Sequence, residues 1–167
     1  MKLSPLHWGL LSTARINRKL IPPLRASKRN ILTTVASRSL ETAQKYASEH
    51  HIPNALGSYE ALLDDPDIDV IYIPLPNHLH AEWAIRAVQA GKHVLCEKPL
   101  ALTTGEVEAM MEAARVSGKI IAEAFMYRHH PQTLKIQEMI AGGKIGQVRL
   151  VKGTFTYNLT RPDDVRL

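Results

Sequence analysis

Residues 91–100, Gly91-Lys92-His93-Val94-Leu95-Cys96-Glu97-Lys98-Pro99-Leu100, predict a buried parallel strand that ends in two opposite charges. His93 to Cys96 is a short, largely apolar, β-prone run, and Pro99 cannot continue a sheet ladder, so the strand must end at Glu97-Lys98. Ligands of open α/β sheets bind outside the carboxyl ends of the strands. A lysine at this point, held by a glutamate and a proline, is therefore well placed for chemistry. The alternative is a solvated charge pair at a strand exit.

The rest of the chain repeats a strand followed by a helix. Apolar and β-branched runs predict further strands at 6–11, 30–36, 55–56, 70–73 and 120–124. Helical spacing and capping residues predict helices at 15–26, 40–50, 58–63, 77–90, 103–117 and 131–141, the first interrupted at Pro22-Pro23. This β-α alternation with short connections predicts an α/β fold with a doubly wound, mostly parallel sheet.

The last segment breaks the alternation. Residues 147–160 alternate apolar and polar side chains and predict one strand of a different sheet. A lone strand with one apolar face is not a stable unit, so we expect further strands to belong with it. The predicted organisation is the doubly wound α/β domain at 1–124, a connecting helix and turn at 125–146, and the start of an incomplete second α/β domain at 147–167.

Composition narrows the classes of protein that fit. A 167-residue chain with 45% hydrophobic residues can bury one ordinary core. Its one cysteine, Cys96, excludes an internal disulfide framework and indicates a reducing, cytoplasmic setting. No signal peptide or membrane span is expected. The net charge of +5 is spread along the chain, which argues against nucleic-acid binding. The histidines lack a compact ligand pattern, so no metal is expected.

Two stretches bear on nucleotide binding. The first strand-to-helix turn, Ser12-Thr13-Ala14-Arg15-Ile16-Asn17, lacks the glycines of a dinucleotide fingerprint but has small residues at the first two glycine positions. An ordinary turn is the alternative. After the second strand comes Ser37-Arg38, where a guanidinium and a hydroxyl suit a 2′-phosphate, so NADP is favoured over NAD. Helix capping by Ser37 or Ser39 is the alternative there.

Five motifs in order resemble a known family: Trp8-Gly9-Leu10-Leu11-Ser12-Thr13-Ala14, Ala36-Ser37-Arg38, Pro76-Asn77-His78-Leu79-His80-Ala81, Gly91 to Pro99, and Phe125-Met126-Tyr127-Arg128-His129-His130-Pro131-Gln132. They resemble the glucose-fructose oxidoreductase/inositol dehydrogenase (Gfo/Idh/MocA) family, and within it the NADP-dependent aldose and dihydrodiol dehydrogenases. The resemblance implies a Rossmann domain followed by an α/β domain with an open sheet. It also implies hydride exchange between a nicotinamide and a sugar or cyclic polyol.

Residue roles follow from the same resemblance. Lys98 would be the catalytic residue, and the Lys98-Pro99 bond is often cis in such enzymes. The implied cofactor contacts are Ser12, Thr13, Ala14, Arg15, Ile16, Ser37, Arg38, Pro74, Leu75, Asn77, His80, Glu97 and Lys98. Tyr127 and Arg128 would border the substrate cleft. Most substrate contacts of family members lie beyond the equivalent of residue 167, so we expect this chain alone to bind cofactor at most.

Two other classes of protein stay open at this point. One is a non-catalytic dinucleotide-binding regulatory module, although such a module has no chemical need of Lys98. The other is an inert fragment that forms a homo-oligomer through its exposed strand at 147–160.

Overall fold

A computed structural model of the chain describes residues 4–156 and 158. The chain divides into two units, Met1–Phe125 and Met126–Leu167. The first unit contains six strands: β1 (Leu6–Leu11), β2 (Asn30–Ala36), β3 (Asn54–Leu56), β4 (Val70–Ile73), β5 (His93–Cys96) and β6 (Ile121–Glu123). Its helices are α1 (Asn17–Ala26), α2 (Leu40–Glu49), α3 (Tyr59–Asp64), α4 (His80–Gln89) and α5 (Thr104–Ser117).

The six strands form one sheet in the order β3-β2-β1-β4-β5-β6, with every neighbouring pair parallel. The strand order reverses between β1 and β4, which is the topological switch point where such sheets open a crevice at their carboxyl edge. The predicted doubly wound α/β fold is confirmed. β4 is buried at all four positions, as a strand covered on both faces must be.

Each face of the sheet has its own hydrophobic core. On one face, Leu10 and Tyr72 pack with Ile21 of α1 and Ala47 of α2. On the other face, the strand residues that point the opposite way pack with α3, α4 and α5. This core includes Leu11, Ile71, Ile73, Leu62, Trp83, Ala87, Val88 and Met110. Because side chains alternate along a strand, neighbouring residues such as Leu10 and Leu11 supply opposite cores.

The helix ends follow from local chemistry. Ser39 and Ser58 cap α2 and α3 by accepting from the Thr42 and Ala61 amides. Thr103 and Glu106 form a reciprocal capping box at the start of α5, and Gly118 ends that helix with φ 67°.

Two details of the predicted helices in this unit are wrong. Pro22-Pro23 does not interrupt α1, which runs through both prolines to Ala26. Ile21 and Leu24, on either side, are buried in the core while both prolines face outward, so packing outweighs the lost backbone hydrogen bonds. The segment predicted as one helix from 77 begins as a 3-10 turn, Asn77–Leu79, and α4 starts only at His80.

The second unit contains a 3-10 turn, Met126–His129, and α6, Pro131–Ala141. The strand predicted at 147–160 is not formed in the part of this segment that the structure describes, residues 147–156 and 158. A β-strand requires a paired ladder, and the described part of this unit provides no second strand to pair with. Among the described helices of both units, none is long and apolar enough to cross a membrane.

Candidate dinucleotide-binding crevice

A cavity of about 650 Å³ opens at the carboxyl ends of β1, β2 and β4. Its lining comes from the residues that follow these strands and from the first turns of α2 and α3. The lining residues are Ser12, Thr13, Ala14, Ser37, Arg38, Ser39, Thr42, Tyr59, Pro74, Leu75 and Pro76. The structure therefore brings together the two stretches that the sequence analysis connected with a nucleotide.

The turn after β1 is compact and held by its own side chains. Ser12 has φ 142°, and its hydroxyl accepts from the Ala14 amide at 3.2 Å. Asn17 is fully buried, and its amide Nδ2 donates to the Ser12 carbonyl at 2.8 Å. The turn leads directly into α1, whose first turn has no acidic residue. A helix N-terminus reached through small residues is a favourable place for an anionic group.

Not every predicted residue of this turn lines the cavity. Ser12, Thr13 and Ala14 do, whereas Arg15 and Ile16 are exposed and lie outside the lining. The Asn17 Oδ1 atom is buried and has no hydrogen-bond partner within the described chain.

Arg38 is the one charged side chain in the lining, and no carboxylate lies among the lining residues that the structure describes. Ser39, not Ser37, provides the N-cap of α2, so the Ser37 side chain is not used for capping. Tyr59 lies on the same wall. Burial raises the pKa of its hydroxyl, and the nearby Arg38 opposes that effect.

The Glu97-Lys98 turn follows β5, next to β4 in the sheet. The Glu97 amide donates to the Ile73 carbonyl at 2.9 Å, which joins the turn to the end of β4. The Lys98-Pro99 bond is cis. Lys98 is exposed, and neither Glu97 nor Lys98 lines the 650 Å³ cavity.

The expected ion pair between Glu97 and Lys98 is not formed. One Glu97 oxygen, Oε1, accepts from the Tyr72 hydroxyl at 2.6 Å, and Oε2 accepts from the Lys98 backbone amide at 3.3 Å. Burial, followed by the hydrogen bond and the charge of Glu97, raises the pKa of Tyr72, so this hydroxyl stays a donor. The adjacent charges do not pair because the Glu97 carboxylate is occupied by the Tyr72 hydroxyl and the Lys98 backbone amide, and the Tyr72 contact comes from a different strand.

Of the remaining predicted cofactor residues, some line the cavity and others do not. Pro74 and Leu75 line the cavity, whereas Asn77 lies outside it and is exposed. His80 is fully buried, with Nε2 at 2.8 Å from the Leu75 carbonyl and Nδ1 at 2.8 Å from the Pro99 carbonyl. His80 therefore lies behind the crevice wall instead of lining it.

Tyr127 and Arg128 lie in the 3-10 turn of the second unit, where Tyr127 is 58% exposed. Their assignment to the substrate cleft stays a prediction.

Several residues of this region were not predicted from the sequence. Ser39 and Thr42 line the cavity from the first turn of α2, and their place at a helix start after a strand was a usable signal. Tyr59 also lines it, and Tyr72 and Glu123 hydrogen-bond to the Glu97–Leu100 turn. Nothing local in the sequence marks these three, because their contacts are made across the sheet edge.

Residues 6–125 match the family described as "Oxidoreductase family, NAD-binding Rossmann fold", that is, GFO_IDH_MocA. The chain belongs to the Gfo/Idh/MocA oxidoreductase family. This assignment agrees with the all-parallel sheet and with the family resemblance of its motifs. The described part of this Gfo/Idh/MocA chain contains no group of three or more His, Cys, Asp or Glu side chains that could hold a metal ion.

Named relatives agree with this assignment. The chain is 42% identical to D-xylose 1-dehydrogenase (NADP(+)) 2 of Haloferax volcanii, over 97% of this chain and 50% of the relative. It is 39% identical to trans-1,2-dihydrobenzene-1,2-diol dehydrogenase of Danio rerio, over 90% of this chain and 46% of that relative. A 3-ketoreductase from Actinomadura kijaniata, crystallised with NADP, superposes with TM-score 0.80 at 38% identity, covering 87% of this chain and 47% of that one. This Gfo/Idh/MocA chain thus spans about half the length of the relatives it matches.

Proposed function

We propose that this chain is the cofactor-binding part of an NADP-dependent oxidoreductase that acts on a small-molecule sugar or cyclic polyol. The observation that carries the proposal is the charge of the crevice lining, where Arg38 is present and carboxylates are lacking among the described lining residues. An adenosine 2′-phosphate needs a cationic partner, whereas a free ribose 2′-hydroxyl is bound by an acidic residue in NAD-specific folds.

The residues present fit the rest of a dinucleotide. The Ser12–Ala14 turn and the start of α1 would hold the pyrophosphate, and Ser37 and Arg38 the adenosine phosphate. Pro74 and Leu75 supply apolar surface between these sites and the β5 end. The bound nicotinamide would supply hydride transfer.

Lys98 is the proposed catalytic residue. Its ammonium would bind the reacting oxygen of the substrate and exchange a proton with it. The turn that carries it is fixed by Tyr72 through Glu97, by the Ile73 carbonyl, and by Glu123, whose Oε1 accepts from the Leu100 amide at 3.0 Å. A fixed turn lowers the entropy lost when substrate and lysine meet.

Arg38→Ala tests the cofactor preference. We expect NADPH to bind about tenfold more weakly or worse, because a hydrogen bond to a charged group contributes about 1.5 to 3 kcal/mol, while NADH affinity changes by no more than about twofold. Titration of cofactor fluorescence with the purified chain measures both. Arg115→Ala is the matched control, since Arg115 lies on α5 and pairs with Glu112 at an exposed site. Equal losses for NADPH and NADH would contradict the preference.

Lys98→Ala tests catalysis in a protein extended to the length of the relatives. We expect turnover of aldoses or cyclic polyols to fall by about 10²- to 10⁴-fold, the usual contribution of a positioned proton donor, with NADPH affinity within about threefold. Lys119→Ala is the control, because Lys119 lies between α5 and β6 at the amino ends of the strands, whereas Lys98 lies at their carboxyl ends. Tight NADPH binding without turnover of any such substrate by the unaltered protein would favour the regulatory module.

A further inference from the structure

His80 joins two loops from inside the protein. Its ring is fully buried, Nε2 lies 2.8 Å from the carbonyl oxygen of Leu75, and Nδ1 lies 2.8 Å from that of Pro99. Leu75 belongs to the loop that lines the crevice, and Pro99 follows Lys98 in the cis turn. One imidazole therefore spans the cofactor side and the lysine side of the proposed site.

The chemistry of the two partners determines the protonation state of this ring. A backbone carbonyl only accepts hydrogen bonds, and a neutral imidazole has one N–H donor and one bare nitrogen. In the neutral form, one ring nitrogen would place its lone pair against a carbonyl lone pair at 2.8 Å inside the protein. Both contacts can be hydrogen bonds only if Nδ1 and Nε2 each carry a proton.

The two carbonyl contacts act against two unfavourable effects. Full burial and the dipole at the first turn of α4 both disfavour a positive charge on His80. The charged ring donates to both carbonyls, whereas the neutral ring would leave one of them without a donor at 2.8 Å.

Nearby ionisable groups do not replace these partners. The loop at 74–76 has no ionisable side chain, and the turn has Glu97 and Lys98. The Glu97 carboxylate accepts from Tyr72, and Glu123, next to the turn, accepts from the Leu100 amide. On its own helix, Glu82 pairs with Arg86, and His78 is exposed in the preceding 3-10 turn.

We propose that His80 is a buried imidazolium at neutral pH and acts as a positioning residue that locks the crevice loop to the Lys98 turn. The protonation state of His80 is inferred from its two carbonyl contacts alone. The effect of His80 on cofactor binding rests on the proposed function. The distance between the two loops is then fixed, so Leu75 of the crevice lining and Lys98 keep a constant spacing.

The first test measures directly whether each ring nitrogen of His80 carries a proton. A ¹H–¹⁵N correlation spectrum of the chain at about pH 7 should show a proton on both ring nitrogens of His80, each exchanging slowly with water because the ring is buried. His78, which is exposed, is the internal comparison and should show fast-exchanging ring protons. The signals are assigned through bonds to the His80 Cβ, so no variant has to fold. A His80 ring with one bare nitrogen overturns the proposal.

The second test separates positioning from folding. We expect His80→Gln, which cannot donate to both carbonyls from opposite sides, to weaken NADPH binding by about tenfold in the folded variant, and His78→Gln to change it by less than about twofold. A folded His80→Gln chain that binds NADPH like the unaltered chain overturns the positioning role. If the unaltered chain binds no NADPH, the proposed function fails, while the ring spectrum still decides the protonation state.

Discussion

Ser12 has the most demanding backbone conformation in the proposed phosphate turn. Its φ of 142° lies in a region that glycine tolerates and other residues enter at a cost of about 1 to 3 kcal/mol. We therefore expect Ser12→Gly to leave the free energy of unfolding unchanged or to raise it by no more than about 0.5 kcal/mol, because relief of the strain offsets the entropy cost of glycine and the lost bond to the Ala14 amide. Urea denaturation measures the change.

Thr13 is the control for this residue, because it has no positive φ among the described backbone angles and lines the same cavity. Thr13→Gly should lower the free energy of unfolding by roughly 0.5 to 1 kcal/mol, the usual cost of added backbone freedom. A Ser12→Gly variant that loses as much stability as Thr13→Gly would show that the turn stores no strain.

Tyr72 is the residue on which the position of Glu97 depends. Its hydroxyl is buried and donates at 2.6 Å to a half-buried carboxylate, and its raised pKa keeps it protonated across the physiological range. A double-mutant cycle of Tyr72→Phe and Glu97→Ala should give a coupling energy of about 1 to 2 kcal/mol, since hydrogen bonds to charged groups are the stronger class. Urea unfolding of the four proteins yields it. Additive losses would mean that the contact contributes nothing to stability.

At the scale of elements, the start of β5 is joined to the residue just before β6 by a histidine that must stay neutral. The His93 Nδ1 atom accepts from the Ile120 amide at 3.1 Å, and burial, then the nearby Lys119, lowers the His93 pKa, with Asp69 opposing. The unfolded chain then binds the proton more readily than the folded one. This contribution to stability is complete above the unfolded pKa of about 6.5 and is lost as pH falls below it.

His93→Asn should remove this dependence, because an amide Oδ1 can accept the same hydrogen bond and does not titrate. Between pH about 7 and about 5 we expect the unaltered chain to lose roughly 1 kcal/mol more stability than the variant, the contribution of one ordinary hydrogen bond. Thermal unfolding across that range measures the difference. His78→Asn, at an exposed histidine, should leave the pH dependence of the unaltered chain in place. Parallel curves for the His93 variant and the unaltered chain would contradict the assignment.

Element types in the first unit could be predicted from sequence because its strands are short and largely apolar, and three of its helices, α2, α3 and α5, begin at a Ser or Thr cap. Local chemistry does not determine features that depend on tertiary contacts. The course of α1 through Pro22-Pro23 is set by core packing. The predicted strand at 147–160 followed an alternating pattern that specifies a strand only where a partner exists.

The same limit applies to the crevice. Ser12, Ser37 and Arg38 were predictable because they directly follow strands in a parallel sheet, whose ends meet at one edge. The burial of His80 could not be read from its motif, because its two acceptors lie 5 and 19 residues away in sequence.

At the scale of the whole molecule, every buried side chain among the described residues belongs to the first unit, and both hydrophobic cores are complete within it. Residues 1–125 should therefore unfold in urea as one cooperative transition, with an m-value of about 1 to 3 kcal/mol/M, the range for small domains. Because the crevice lining also lies within these residues, NADPH should bind them within about threefold of its affinity for the 167-residue chain. A broad, non-cooperative transition would show that the sheet with its two cores is not an independent folding unit. Cooperative unfolding with NADPH binding lost would instead place essential cofactor contacts beyond residue 125.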